Sequence, residues 1–301
     1  MTVIASEFLS LEPLPVVTVA MPVYNAGRFL RPAVLSIVQQ SYRSWELLIM
    51  DDGSTDDALD SISDINDVRI RIYRDGCNRG IAVRLNEAID LARGRYFARM
   101  DADDVSYPQR LLRQVTALQS DSQLDLLATR AISIDEDNQL LGVFPYALSH
   151  SEICRQPWRG FFFPHPTWMG KIEWFRKFKY KVPAPYCSED QELLLRSYRE
   201  SRYATLPEIL FAYRIRSKIL FTKLFKTRRS IAVFQQGIFL KNCQWLYCML
   251  SGAAFVVKVI VDLYKRIMFH TFSPNWGAAS ESVVSEWRVV RGGDSCENNS
   301  L

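Results

Sequence analysis

For about its first hundred residues the chain alternates short apolar runs with amphipathic ones, and this rhythm restricts the possible folds more than any other feature. "VVTVAM" (16–21) is a β-rich apolar run that stops at Pro22, as a strand buried on both faces would. In the next segment, "RFLRPAVLSIVQQ", Phe29, Leu30, Ala33, Val34, Ile37 and Val38 fall at helical spacing, with Pro32 tolerable only near the first turn. "WELLIM" (45–50), "VRIRIY" (68–73) and "RYFARM" (95–100) read as further strands. Between them "ALDSIS" begins a short helix, and "IAVRLNEAIDLAR" sets Ile81, Leu85, Ala88, Ile89 and Ala92 on one helical face before Gly94 closes it. Parallel strands need crossover helices, so the alternation predicts an α/β fold with a doubly wound, mostly parallel sheet flanked by helices. Such sheets bind ligands at the carboxyl ends of their strands. The turns "PVYNAG", "DDGSTDD" and "DADD" are thereby expected on one rim.

The last of these turns places Asp101, Asp103 and Asp104 within four residues where a buried strand ends. One reading is a solvated turn that caps the next helix, whose first-turn proline would be Pro108. The other is a metal site, in which Asp101 and Asp103 supply hard oxygen ligands to Mg²⁺ or Mn²⁺ while phosphates complete the shell. No Gly at the sixth position or Glu at the twelfth follows, which excludes an EF-hand loop. On the same rim Tyr24 offers a ring to stack on a flat base, and Asp52 a carboxylate to accept from a base N–H. Gly27, Gly53 and Gly80 form neither G-x-G-x-x-G nor a Walker loop, so a dinucleotide or ATPase site lacks its phosphate cradle. "SEDQELLLR" (188–196) reads as a helix start with Ser188 as N-cap. Its Glu189 and Asp190 are either capping acids or a general base held ionised by the helix N-terminus. His165, between two prolines, is either a structural contact or a metal or phosphate contact.

In order, "VTVAMPVYNAGRFLRPAVLSIVQQSYRSWELLIMDDGSTDD", "NRGIAVRLNEAIDLARGRYFARMDADDVSYPQR", "HPTWM", "SEDQELLLR" and "LPEILFAYR" resemble family 2 glycosyltransferases of the GT-A fold, over residues 16 to about 216. The resemblance implies a metal-dependent inverting transferase. It would move a sugar from a nucleotide-sugar donor, by expectation a UDP-sugar, to a hydroxyl of a saccharide or lipid-linked oligosaccharide in surface polysaccharide biosynthesis. The resemblance implies donor-nucleotide contacts from Pro22, Tyr24, Asn25, Asp52, Asp101 and Ala102, and a D-x-D metal site at Asp101 and Asp103. Asp190 is then the catalytic base, with Glu189 the second choice, and His165, Arg196 and Arg216 are expected acceptor or phosphate contacts. The family often has an aromatic where Leu194 stands and a His where Arg216 stands; Arg216 can itself meet a phosphate. As the anomeric bond to diphosphate breaks, charge grows on the leaving oxygens, where a metal stabilises the transition state more than the ground state. Two rivals are a polyprenyl-phosphate sugar synthase, opposed by the acid pair, and a non-catalytic sugar-nucleotide-binding protein, opposed by the intact motifs.

Residues 16–123 read as the nucleotide-binding half and 124–216 as the acceptor half, where "LDLLATRAISIDEDNQLLGVF" gives two strand-like runs around an acidic turn. Beyond residue 216 the character changes. From Arg214 to Arg266 there are eleven Lys or Arg against one acid, Asp262. "SKILFTKLFKTRRS" interleaves cations with Ile, Leu and Phe, and "WLYCMLSGAAFVV" (245–257) carries no charge, so 217–270 is expected to be a basic, apolar helical extension that associates with a membrane surface. A core-packing helix and a single span, interrupted by Lys258 and Asp262, are the alternatives. Residues 1–15 read as a leader without signal-peptide character, since Glu7 and Glu12 interrupt it, and 271–301 as a disordered tail. Six cysteines without a C-x-x-C pair suggest reduced thiols. The expectation is a cytoplasmic protein, peripheral on the inner face of the plasma membrane, with no nucleic-acid partner.

Overall fold

The computed structural model describes residues 14–216, 221–269 and 277–292. Its first elements keep the expected rhythm: β1 (Val17–Val23), α1 (Leu30–Val38), β2 (Trp45–Asp51), β3 (Ile70–Arg74), α2 (Ile81–Leu91) and β4 (Tyr96–Arg99). β1, β2 and β4 are buried on both faces, which is why their sequences lack polar alternation. Successive strand residues feed opposite cores. Val17, Val19, Met21, Leu47 and Ile49 pack with Leu30, Val34 and Ile37 of α1 on one face. Ala20, Leu48, Met50 and Phe97 pack with Leu85, Ala88 and Ile89 of α2 on the other. "ALDSIS" yields only a 3₁₀ turn at Asp60–Ile62, too short to bury more than Ile62.

The chain continues through β5 (Val105–Ser106), α3 (Arg110–Ser120), β6 (Leu126–Ile134), β7 (Leu140–Val143), α4 (His150–Ile153), β8 (Met169–Lys171), α5 (Ile172–Phe178), α6 (Glu189–Ser197) and β9 (Tyr203–Arg214). Among the described residues one 9-stranded sheet runs β3-β2-β1-β4-β8-β6-β9-β5, with β7 paired to β6. β3, β2, β1 and β4 are parallel. β8 inserts antiparallel between β4 and β6, and β9 lies parallel to β6. Two reversals at β8 restore the β4 direction in β6 and β9. The second half therefore extends the first sheet, and the end of β9 returns to the rim where β4 ends.

α7 (Phe221–Lys241) and α8 (Trp245–Phe269) pack as a helical hairpin. Two of the four charges in α8 turn inward: Asp262 accepts both prongs of Arg228 from α7, and Lys258 Nζ donates to the Arg159 carbonyl at 2.8 Å. Leu246, Met249, Val256, Val257, Ile260, Tyr264 and Ile267 point the other way, each more than half exposed. Trp245–Ile267 is long and apolar enough to cross a membrane by length and composition, and 11% of its apolar window is buried, so α8 is not a core-packing helix. The expected tail needs a correction. α9 (Glu281–Val290) forms within it, because Val283, Trp287 and Val290 recur at helical spacing and bury one face. Trp287 stacks on Tyr107 with ring centroids 6.2 Å apart and donates to the Asn138 carbonyl at 3.0 Å. The remainder of the expected tail, the leader up to residue 13 and residues 217–220 lie outside the described residues.

Candidate active site

Ladder pairing of β1 to β4 ends at Ala20 and Arg99, so Pro22, with no N–H to give, sits where no partner strand remains on that side. Tyr24 follows with its ring 53% exposed on the rim. Asn25 adopts a left-handed φ of 48°, held by Thr55 N–H donating to its Oδ1 at 2.8 Å and by its own N–H donating to Ser54 Oγ at 3.2 Å. Gly53 is required in the facing turn: its φ is +77°, and a Cβ there would lie 2.9 Å from the Cys77 carbonyl carbon. That close approach brings Asp52 against the start of α2. Asp52 Oδ1 accepts from Arg79 N–H at 2.7 Å and Arg84 Nε at 3.0 Å, and Oδ2 accepts from Gly80 N–H at 3.0 Å.

In the acidic turn, Asp101, Asp103 and Asp104 each bring a ligand oxygen within 4.8 Å of the others. Ala102 between them is nearly buried. Asp104 does not cap α3, whose N-cap position is Gln109 without a side-chain bond. It is buried instead, accepting from Arg214 N–H of β9 at 2.7 Å, while its Oδ2 has no partner among the described residues. Burial, then the charges of Asp101 and Asp103, push the Asp104 carboxyl well above the usual carboxylate range; burial and then Asp101 raise Asp103. Arg99 pairs with Asp101, and Arg216 Nη1 lies 3.4 Å from Asp103 Oδ2. Crowded hard-oxygen donors, one of them a buried orphan, fit a divalent cation.

Across a cleft of about 720 Å³ stand Glu189 and Asp190, the first residues of α6, with Arg99, Asp101, His165 and Tyr213 on its other walls. Ser188 occupies the N-cap position, but its Oγ donates to the Tyr186 carbonyl at 3.1 Å, so it leaves the helix end to the acids. Asp190 Oδ2 accepts from Gln191 Nε2 at 3.1 Å. Burial, then the Asp190 charge, pushes the Glu189 carboxyl up to about 7, and burial raises Asp190 as well. His165 Nε2 lies 2.6 Å from Tyr180 Oη and its Nδ1 3.7 Å from Glu189 Oε1. Burial and then the Arg99 charge hold the imidazole well below its ordinary value, so it is neutral near pH 7.

The sequence profile described as Glycosyl transferase family 2 matches residues 18–178. The chain belongs to this family. The transferase is 31% identical over 224 residues to the O-antigen biosynthesis glycosyltransferase WbnJ of Escherichia coli, covering 70% of this chain and 84% of that one. It is 30% identical over 258 residues to EpsE of Bacillus subtilis (strain 168), which carries a glycosyltransferase name, covering 83% and 90%. Among solved structures it is similar to the mannosyltransferase PcManGT from Pyrobaculum calidifontis in complex with GDP-Man and Mn²⁺, with TM-score 0.59 and 15% identity over 85% of this chain and 82% of that one. S. aureus TarS 1-349 in complex with UDP-GlcNAc gives TM-score 0.55 and 18% identity over 72% and 66%. In another TarS structure the matched region spans 39% of the chain. These likenesses bear out the GT-A expectation for the fold.

Of the residues expected at the transferase's site, Asp101, His165, Glu189 and Asp190 line one cleft. Arg216 ties Asp103 to the nucleotide turn, its Nη2 donating to the Asn25 carbonyl at 3.2 Å. Tyr24, Asn25 and Asp52 occupy the adjoining rim. Arg196 is not brought in: it donates to the Phe178 and Lys179 carbonyls at 2.6 and 2.7 Å and pairs with Glu192 at 3.1 Å, so it braces the end of α5. Leu194 is fully buried in the core and shapes no acceptor surface. Sequence reasoning passed over Arg84, which fixes Asp52, and Arg99. The signal for Arg99 was a charged residue closing an otherwise apolar strand.

Proposed function

We propose that this glycosyltransferase moves a sugar, with inversion, from a nucleoside-diphosphate sugar to a hydroxyl of a saccharide or lipid-linked oligosaccharide in surface polysaccharide synthesis. The observation that carries the proposal is the single cleft in which Asp101 faces Glu189 and Asp190. Tyr24 stacks on the base, and Asp52 Oδ2, which among the described residues accepts only from Gly80 N–H, accepts from the base edge. Pro22, Asn25 and Ala102 shape the nucleotide turn. Asp101 and Asp103 would hold Mg²⁺ or Mn²⁺, which when bound offsets charge on the diphosphate oxygens. Asp190, oriented by Gln191, takes the proton of the attacking acceptor hydroxyl. His165, neutral and bonded to Tyr180, positions Glu189 rather than meeting a phosphate. A phosphate acceptor would need no base and would be repelled by the acid pair, which favours a hydroxyl.

The name of WbnJ supports surface polysaccharide synthesis, and that of the E. coli UDP-Glc:alpha-D-GlcNAc-diphosphoundecaprenol beta-1,3-glucosyltransferase WfgD, 27% identical over 141 residues, covering 46% of this chain and 55% of that one, supports a lipid-linked saccharide acceptor. So does an apolar groove of about 710 Å³ that shares the wall Pro183–Ala184–Pro185 with the cleft and places Lys226 and Arg229 beside Phe225 and Phe234. The outward apolar face of α8 supports attachment to a membrane surface, and the surrounding cations suit the anionic cytoplasmic leaflet.

Screening nucleotide sugars by thermal shift and calorimetry tests the donor and metal assignments. One UDP- or GDP-sugar should raise Tm in the presence of Mg²⁺ or Mn²⁺ by mass action, and Asp103→Ala should lose the metal-dependent part of binding. Equal donor affinity with and without metal in the parent protein would overturn the metal assignment.

A further inference from the structure

Arg99 closes β4 and is 3% exposed, yet it lines the cleft. One prong of its guanidinium pairs with Asp101. Its Nε and Nη1 have no partner among the described residues. A buried donor left unmade is costly, and Glu189 and Asp190, which line the same cleft, make no hydrogen bond to it among the described residues. An arginine whose task was only to balance those acids would close both prongs on them. This one holds a single acid and leaves Nε and Nη1 buried and without a partner among the described residues, in a side chain that lines the cleft.

We propose that Arg99 gives its unpartnered Nη1 to an oxygen of the donor diphosphate, making Arg99 a second, metal-independent hold on the leaving group. The inference rests on the nucleoside-diphosphate-sugar reading above. A planar, always charged fork matches phosphate oxygens, and the diphosphate is the anion that this reaction brings beside Asp101. As acceptor oxygen bonds to the anomeric carbon, the carbon–oxygen bond to diphosphate breaks, its electron pair leaves with the diphosphate, and the acceptor proton passes to Asp190. Charge thus grows on the oxygens that Arg99 faces. A donor fixed in place by its bond to Asp101, in a site screened from water, stabilises that charge without reorganising.

The test compares uridine with UDP, or guanosine with GDP if the donor screen selects that base, by calorimetry on the parent, Arg99→Lys and Arg99→Gln, with Mn²⁺ binding measured alone. The expected result is diphosphate affinity weakened at least about tenfold and kcat lowered at least about a hundredfold, with nucleoside and Mn²⁺ affinity changed less than about twofold. Equal weakening of nucleoside and diphosphate, unchanged diphosphate affinity, or loss of Mn²⁺ binding in step with diphosphate would overturn the proposal, the last because Arg99 would then act only through Asp101. If the variants do not fold, the Arg79→Gln/Arg216→Gln double variant, which removes the other cations beside the acids, decides with metal chelated. Asp101, Asp103, Asp104, Glu189 and Asp190 alone would make UDP bind more weakly than uridine there, whereas Arg99 bonded to the diphosphate makes it bind more tightly. Failure of the parent to bind any nucleoside diphosphate would sink the donor reading itself, a result distinct from loss of discrimination at Arg99.

Discussion

Asp190 must be ionised to accept a proton, and its surroundings resist that. Burial raises it, and burial together with Asp190 pushes its neighbour Glu189 up to about 7. Transfer should therefore increase with pH through about 7 as the pair gives up its last proton, and a kcat/KM profile flat between about pH 6 and 8 would contradict this. Glu189→Gln removes the like charge and should move the midpoint down by about one unit. His165, held neutral by burial, does not contribute to that profile. The same shift acts on stability. The folded chain keeps a proton that the unfolded chain has released between 4.5 and about 7, so the Glu189 contribution to stability falls as pH rises through that window. At this scale the sequence singles out Asp101, Asp103 and Asp190 by their spacing, and the structure sets Asp101 and Asp190 on one cleft with Asp103 beside Asp101. Arg99 and Arg84 were not, because a charge inside an apolar run gains meaning only from neighbours far along the chain: Glu189 and Asp190 across the cleft for one, Asp52 for the other.

Elements with a strong period were readable from the sequence: β1, β2, α1 and α2 bury most of the residues their patterns single out, with Phe29, Val38 and Ile81 half-buried at the helix ends. β8 was not, since three residues show no period and its place in the sheet depends on β4 and β6. In α8 the apolar length was visible but its facing was hidden. Lys258 and Asp262 look like flaws in a membrane-seeking helix until Arg159 and Arg228 are seen to take them inward. Serine at Leu246, Met249, Val257 and Ile260 together changes only the outward face. Each exposed side chain is worth roughly 1 kcal/mol or more on entering a bilayer interface, so binding to vesicles containing anionic lipid should weaken at least about a hundredfold. Co-sedimentation equal to the parent would contradict the membrane reading.

At the scale of the whole molecule, the double reversal at β8 decides how the halves meet. It lets β9 run alongside β6 in the direction of β4, so that Arg214 at its end seats Asp104 and Arg216 reaches both Asp103 and Asn25. Asp101 of the acidic turn and the acid pair of α6 thereby share one cleft. The alternating first half announced a doubly wound sheet, but no local pattern announced that the second half would continue it, because register between distant strands is set by burial rather than by spacing. In the proposed transfer the acid pair acts on the acceptor while the opposite wall holds the donor. Asp190→Asn separates the two most directly: with the preferred nucleotide sugar and acceptor, sugar transfer should fall by about a thousandfold while donor Kd stays within about twofold of the parent. Turnover at the parental rate in that variant would contradict the assignment of Asp190 and, with it, the mechanism built across the cleft.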